Sequence, residues 1–131
     1  SGVRWEATCV SMGNPHAVIE VEDPAAMDLQ AVGPAVERHP VFPHRVNVEF
    51  VRVLGRGGMQ MRVWERGSGE TMACGTGACA SAAAMMAAGK LDRDAKVQLA
   101  GGDLLVRWDE KSGQMFMTGP ACTVFDGKLA D

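Results

Sequence analysis

A cysteine in a glycine- and threonine-rich turn, directly before a predicted helix, is the feature of this sequence best suited to chemistry. The turn reads Ala73-Cys74-Gly75-Thr76-Gly77, and the residues after it are almost all small or apolar. The first N–H groups of a helix lack partners inside the helix, and the helix dipole is positive at that end. The turn is therefore predicted to bind a carboxylate through its backbone and to stabilise a thiolate at Cys74. This pattern indicates an acid/base site.

The other cysteines are interpreted as core residues. A buried cysteine is more often a small hydrophobic residue than a catalyst, and only the flanking turn reverses that interpretation for Cys74. Cys79 lies five residues further on, about 140° around a helix, so the two thiols are not expected to share a metal ion. Cys9, Cys79 and Cys122 are predicted to lie in the core. No metal site is predicted.

Composition indicates one globular domain that binds small molecules. The 131 residues suffice for one core, and no apolar run approaches a membrane span or a signal peptide. The net charge is −3, and no cluster of basic residues suggests a nucleic-acid-binding surface. We expect a cytoplasmic protein with reduced cysteines and no membrane or nucleic-acid partner.

The element pattern predicts an α+β fold. A helix beginning near Asp23 or Asp28 is expected to reach about Glu37, and strands 45–54 and 59–65 should form a hairpin. A second helix at about 74–88 carries only Thr76 and Ser81 as polar side chains, so it should be buried on all sides. Its small residues would let a curved, mostly antiparallel sheet wrap around it. Further short strands are predicted at 7–12, 17–21, 95–99, 104–108, 114–118 and 121–125.

Five sequence blocks, in order and spanning nearly the whole chain, resemble the C-terminal half of the diaminopimelate epimerase family. These are cofactor-independent enzymes of bacterial lysine and peptidoglycan biosynthesis. The blocks are Ser11-Met12-Gly13-Asn14-Pro15-His16, Val46-Asn47-Val48-Glu49-Phe50, Glu65-Arg66-Gly67 to Glu70-Thr71, Ala73-Cys74-Gly75-Thr76-Gly77, and Gly119-Pro120 to Val124-Phe125.

The resemblance implies that the chain is half of an enzyme. Family members have two pseudo-symmetric domains, and the first supplies a second cysteine in a Cys-Gly-Asn-Gly-type turn that this sequence lacks. Residues 1–131 are therefore expected to be the C-terminal catalytic half-domain, whose partner is the absent N-terminal half. We expect the isolated chain to be inactive, because inverting an α-carbon needs a base and an acid on opposite faces of the substrate.

By resemblance, the complete enzyme of which this chain is half is expected to invert the α-carbon of LL-diaminopimelate to give the meso form, without any cofactor. Cys74 is one of the two proton carriers, acting as base towards one stereoisomer and as acid towards the other. The backbone N–H groups of Gly75 and Thr76 are expected to bind the α-carboxylate and to stabilise the charge that develops on it.

The resemblance also assigns the remaining site residues. Asn14, Asn47, Glu65 and Arg66 match substrate contacts, and His16 and Glu65 match positions that tune the protonation of the thiol pair. From the residues alone, a structural role is the simpler interpretation. Asn14 and His16 would be turn residues satisfied locally, and Asn47, Glu65 and Arg66 would lie at solvated strand edges.

Other functions remain open. A related cysteine-pair racemase for another amino acid, or an isomerase with a different base, would use the same architecture. A domain that binds an amino-acid carboxylate without catalysis is a further alternative, as is a homodimer in which two Cys74 turns face each other. A pyridoxal-dependent racemase fits poorly, because the lysines lie in predicted turns or edges away from Cys74, at Lys90, Lys96, Lys111 and Lys128.

Overall fold

The computed structural model describes residues 4–120, 127, 128 and 130, and these form an eight-stranded sheet with a helix against each face. The helices are α1 (Leu29–Glu37) and α2 (Gly75–Ala87), and a 3-10 turn at Pro24–Ala26 precedes α1. The strands are β1 (Thr8–Ser11), β2 (Pro15–Glu20), β3 (Asn47–Gly55), β4 (Gly58–Glu65), β5 (Gly69–Thr71), β6 (Asp94–Leu99), β7 (Gly102–Trp108) and β8 (Met115–Thr118).

The sheet is mostly antiparallel, as predicted. Its strand order is β1-β2-β3-β4-β6-β7-β8, and β5 pairs with the end of β4. Only β2 with β3 and β4 with β6 pair in parallel among the described residues. Parallel neighbours need a crossover, and α1 and α2 lie in the two connecting segments. The α+β class is therefore confirmed.

Helix α2 is enclosed by the sheet, in agreement with the sequence prediction. It packs against β1 to β4 and against β6 to β8. Ala78, Ala80 and Ala82 are fully buried, and a methyl side chain lets strands approach closely. Gly89 has φ of 75° and ends the helix, with Lys90 N–H bonded back to the Met85 carbonyl. The helix therefore has its N-terminus, and Cys74, at the mouth of the sheet.

Two apolar layers cover the two faces of the sheet. One surrounds α2 and includes Val51 of β3, while the other lies beneath α1 and includes Val48 and Phe50. Because side chains alternate along a strand, Asn47 and Glu49 share the α2 face with Val51. Asn47 and Glu49 are buried rather than solvated, which corrects the expectation of a solvated edge for Asn47.

Several element boundaries differ from the prediction. Strand β2 begins at Pro15, two residues early, because the preceding bend is confined to Met12, Gly13 and Asn14. Strand β5 was not predicted, since three residues carry too little periodicity. The hairpin of β3 and β4 is confirmed, with Gly55 opposite Gly58. The predicted strand 121–125 lies outside the described residues.

Neither helix of the described residues has the length and apolar character of a membrane span.

Helix α1 packs its glycine directly onto the Trp64 indole. A Cβ at Gly33 would lie 2.4 Å from Cδ2 of Trp64, closer than atoms can approach. The indole N–H of Trp64 donates to Oε1 of Glu37 at 2.8 Å, so the ring is held at both its face and its edge. Pro34 is tolerated inside the helix, although it removes one backbone donor.

The Gly33 contact yields a stability prediction. Glycine to alanine in a helix normally stabilises by about 1 kcal/mol, but overpacking a core costs about 1–3 kcal/mol. We expect Gly33→Ala to lower the free energy of unfolding in urea by about 1–2 kcal/mol, because Trp64 must shift and strain its bond to Glu37. Ala35→Ser, at an exposed position of α1, is the matched control and should change stability by less than about 0.5 kcal/mol. A more stable Gly33→Ala protein would contradict this packing.

Candidate active site

An open cleft of about 650 Å³ lies at the N-terminal end of α2. Strand β4, the turn before α2 and strand β8 provide its walls. The lining residues are Met12, Glu65, Ala73, Cys74, Gly75, Thr76, Cys79, Met115 and Met117. The four cleft residues predicted for the site from the sequence, Cys74, Gly75, Thr76 and Glu65, thus share one cavity.

Cys74 is the N-cap residue of α2. Its backbone is extended, with φ of −145° and ψ of 107°, and its Sγ accepts the Gly77 N–H at 3.4 Å. The Oγ1 of Thr76 lies 3.6 Å from the same sulfur. The sulfur therefore has two donor-capable neighbours at the positive end of a helix, an arrangement that stabilises a thiolate.

Gly77 is required by the close approach of the helix to β3. A Cβ at this position would lie 2.8 Å from Oε1 of Glu49 and 3.2 Å from Sγ of Cys74. Gly77 thus lies between a buried carboxyl group and the sulfur, with no room for a side chain. Any larger residue would push the helix terminus away from the sheet.

His16 and Glu49 form a buried pair beneath this helix terminus. Nδ1 of His16 lies 2.6 Å from Oε1 of Glu49, and both side chains have no exposed surface. His16 is therefore a strand residue of β2 bonded to side chains, which corrects its interpretation as a turn residue satisfied by backbone groups. Sequence reasoning did not select Glu49; a second polar residue in an otherwise apolar central strand was the signal that could have found it.

Burial determines the electrostatics of Glu49. Desolvation raises the pKa of this carboxyl, and the nearby Glu65 adds to the rise, although the hydrogen bond and charge of His16 oppose it. Its second oxygen, Oε2, is buried without a hydrogen-bond partner among the described residues. Both features make the anion of Glu49 less favourable than that of an exposed glutamate.

Asn14 connects the buried pair to the helix terminus. Its Oδ1 lies 3.0 Å from Nε2 of His16, and its Nδ2 donates to Oγ1 of Thr76 at 3.4 Å. The Thr76 hydroxyl lies beside the Cys74 sulfur, so a series of hydrogen-bonding groups connects Glu49 to Cys74. Asn14 therefore lies next to the cleft residues Cys74 and Thr76, and its amide already has two protein partners.

The turn after β4 is held from two sides. Asn47 accepts the Arg66 N–H at 2.8 Å and donates to the Pro15 carbonyl at 3.0 Å. Glu37 accepts the Gly67 N–H at 3.2 Å. Asn47 thus fixes the backbone of Arg66, whose guanidinium is exposed and donates to a backbone carbonyl of the segment before β3.

Glu37 is ionised in this setting. Burial works to raise its pKa, but the hydrogen bonds from Trp64 and Gly67 and the charges of Arg45 and Arg38 together bring the pKa below its usual value. The carboxylate is thus a stable acceptor for the turn that carries Arg66.

Glu65 ends β4 and faces the cleft. Its Oε2 accepts a hydrogen bond from the Thr71 hydroxyl across the β4 to β5 pairing. Glu65 is half-buried, so one part of its carboxylate is fixed to the protein while the side chain still contributes to the lining shared with Cys74.

The other cysteines differ from the prediction in part. Cys79 packs against the α2 core and also lines the cleft, and burial raises the pKa of its thiol, with Cys74 contributing. Cys9 is exposed on β1, so its assignment to the core was wrong, since β1 is an edge strand. Cys122 lies outside the described residues. Within the described part, no group of three or more His, Cys, Asp or Glu side chains is placed to hold a metal ion.

Comparison with known proteins assigns the chain to a family. The family model described as diaminopimelate epimerase matches residues 8–124. The chain is 55% identical to the diaminopimelate epimerase of Nostoc punctiforme over 129 residues and 55% identical to that of Moorella thermoacetica over 127 residues. These alignments cover 98% and 97% of this chain and 46% of each relative. The chain belongs to the diaminopimelate epimerase family and spans about half the length of these relatives.

Solved structures of another group share the fold. A phenazine biosynthesis protein of the PhzF family from Bacillus anthracis superposes with a TM-score of 0.59 at 18% identity, covering 86% of this chain and 38% of that one. A PhzF family protein from Enterococcus faecalis gives a TM-score of 0.59 at 16% identity, covering 82% and 40%. At this level of identity, the likeness establishes the architecture alone.

The cleft geometry predicts the order of thiol reactivity. Cys74 and Cys79 line the same cavity, but only Cys74 has helix-terminal donors, whereas the raised pKa of Cys79 leaves less thiolate at any given pH. With limiting iodoacetamide at pH 7, peptide mapping should show Cys74 alkylated first and Cys79 at least about tenfold more slowly. Exposed Cys9 serves as the internal control for access. Faster labelling of Cys9 or Cys79 would contradict an activated Cys74.

Proposed function

We propose that this chain is the C-terminal catalytic half of a diaminopimelate epimerase that interconverts the LL and meso stereoisomers by two-cysteine acid/base catalysis. The family membership and the greater length of its relatives support this proposal. The role belongs to lysine and peptidoglycan biosynthesis in the cytoplasm, and the reaction uses no cofactor.

The observation that carries the proposal is the position of Cys74. Its sulfur caps α2, accepts the Gly77 N–H at 3.4 Å and faces an open cleft. A thiolate there can remove the α-proton from one face of a bound amino acid, becoming a thiol. In the reverse direction the thiol returns a proton to the same face. Each turnover therefore needs a second proton carrier on the opposite face, which we assign to the N-terminal domain.

Helix α2 would also hold the reacting end of the substrate. The N–H groups of Gly75 and Thr76 belong to the first turn of α2, where a helix provides no internal acceptors. A carboxylate bound there would gain hydrogen bonds that strengthen as negative charge moves onto it from the α-carbon. The same helix end thus serves both the thiolate and the developing carbanion.

The remaining polar residues divide between substrate and scaffold. The exposed guanidinium of Arg66 is suited to a second carboxylate, and the half-buried Asn14 and Glu65 can contact polar groups at the cleft edge. Asn47 is committed to Pro15 and Arg66, so we assign it chiefly to positioning Arg66, with one amide hydrogen left for substrate. His16 is fully buried, so its effect on the thiol must pass through Asn14 or Glu49.

The first functional prediction concerns the isolated chain. We expect the purified 131-residue protein not to interconvert LL- and meso-diaminopimelate, because Cys74 reaches one face only. Chiral chromatography of the substrate after prolonged incubation measures this, with the molecular mass determined by light scattering on the same sample.

Light scattering separates two explanations of any activity. Turnover by a verified monomer would contradict the half-enzyme proposal. Turnover confined to a dimer, and lost on dilution, would instead support the arrangement in which two Cys74 turns face each other.

The second functional prediction concerns Cys74→Ala in a complete two-domain enzyme that carries this chain as its C-terminal half. Loss of one proton carrier should lower interconversion in both directions by at least about 10³-fold, with substrate binding largely retained. The cysteine of the other domain would still reach one face, so slow α-proton exchange with D₂O should persist for one stereoisomer at most. Deuterium incorporation by NMR and chiral product analysis measure the two outcomes.

Arg66→Ala is the contrasting variant. It removes a proposed carboxylate contact rather than a proton carrier, so KM should rise for both stereoisomers while exchange from both is retained. Near wild-type interconversion by Cys74→Ala would show that Cys74 is a structural cysteine.

A further inference from the structure

We propose that Glu49 is a positioning residue whose buried hydrogen bond to His16 fixes the direction of a hydrogen-bond chain ending at Cys74. This inference rests on the proposed role of Cys74 as a proton carrier. It adds the group that directs a hydrogen bond from Thr76 to the sulfur. The chain runs from Glu49 through His16, Asn14 and Thr76 to the sulfur, over contacts of 2.6, 3.0, 3.4 and 3.6 Å.

The starting point is the number of hydrogens on the buried pair. A carboxylate beside a neutral imidazole would leave an uncompensated charge at a site without exposed surface, which is costly. The pair therefore retains one additional hydrogen, shared along the 2.6 Å contact. The unpartnered Oε2 of Glu49 favours its location on Glu49, since a bare carbonyl oxygen is buried at lower cost than a bare carboxylate oxygen.

That additional hydrogen determines the tautomer of His16. If Glu49 holds it, the carboxyl O–H donates to Nδ1, so the ring hydrogen must be on Nε2. If His16 holds it, both ring nitrogens carry hydrogens. Nε2–H therefore donates to Oδ1 of Asn14 in either case, at the observed 3.0 Å.

The direction of donation then propagates to the sulfur. With its Oδ1 facing His16, Asn14 must present its NH₂ group to Oγ1 of Thr76. Thr76 accepts this hydrogen and keeps its own hydroxyl hydrogen for Sγ of Cys74, 3.6 Å away. Without the additional hydrogen on the pair, Nε2 could accept, Asn14 could turn over, and the Thr76 hydroxyl would donate to Asn14 instead.

Among the described residues, three titratable groups act on Glu49 or lie next to it. His16 faces it from β2, Glu65 acts on it from β4, and Cys74 lies across Gly77 at the terminus of α2. If Glu49 acted only as a nearby negative charge, it would disfavour the thiolate, and its removal would increase the reactivity of Cys74. If it fixes the direction of the chain, its removal decreases that reactivity. The two roles therefore predict opposite signs.

The experiment measures the rate at which iodoacetamide, a neutral reagent, alkylates Cys74 in the 131-residue chain, by peptide mapping between pH 6 and 9. In Glu49→Gln, the amide can donate to or accept from Nδ1, so Nε2 loses its enforced hydrogen. We expect the alkylation rate at pH 7 to fall at least about threefold, because the Thr76 hydroxyl would donate to the Cys74 sulfur only part of the time. Glu22→Gln, an exposed carboxylate on the loop after β2, is the matched control and should leave the rate unchanged.

Thr76→Val tests whether the effect passes through the chain. It removes the last donor, so the rate should fall about tenfold, and adding Glu49→Gln should cause no further decrease. A faster reaction in Glu49→Gln, or an equal further decrease in the Thr76→Val background, would overturn the proposal. The second result would assign Glu49 to general stability of the fold.

A measurement on the unaltered chain remains decisive if Glu49→Gln fails to fold. The ¹⁵N chemical shifts of the His16 ring at pH 7 should show a hydrogen on Nε2, and an Nε2 without hydrogen would overturn the proposal. Neither measurement uses substrate, so their outcome is independent of whether the complete enzyme epimerises diaminopimelate. Failure of the proposed function would appear in the deuterium exchange assay instead.

Discussion

The site depends on how closely helix α2 can approach the sheet that encloses it. Alanine and glycine side chains allow this approach, and Ala78, Ala80 and Ala82 have no exposed surface. At Gly77 the clearance is too small for even one methyl group. A thicker helix would move its N-terminus outward and separate Cys74 from the buried groups of β2 and β3. The small side chains are therefore a geometric requirement of the site as well as a way of filling the core.

A polar layer inside the sheet provides the second constraint. His16 and Glu49 lie on the α2 face of adjacent parallel strands, where the register places Glu49 opposite Val18, two residues beyond His16. Groups this deeply buried must satisfy one another, and the 2.6 Å contact does so for Oε1 of Glu49, while Oε2 has no partner in the described part of the chain. Such an arrangement has few alternative geometries, and it leads directly to Asn14 at the cleft.

The turn next to the cleft is held by residues that do not line the cleft themselves. Asn47 and Glu37 hold the backbone N–H groups of Arg66 and Gly67, so the turn after β4 has a defined position. The exposed guanidinium of Arg66 therefore extends from a rigid base. Preorganisation of this kind lowers the entropy lost when a ligand binds. Polar residues next to the cleft can therefore act by holding the backbone alone.

The sequence alone determined the buried helix, the hairpin and the turn that carries Cys74, because these depend on local patterns: small apolar residues before Gly89, alternation in two strands, and glycines around Cys74. It could not determine the partners of His16, the burial of Glu49 or the exposure of Cys9. Those properties depend on which strands become neighbours and which remain at an edge. The parallel pairing of β2 with β3 joins residues 33 positions apart through a crossover, and only tertiary structure decides that contact.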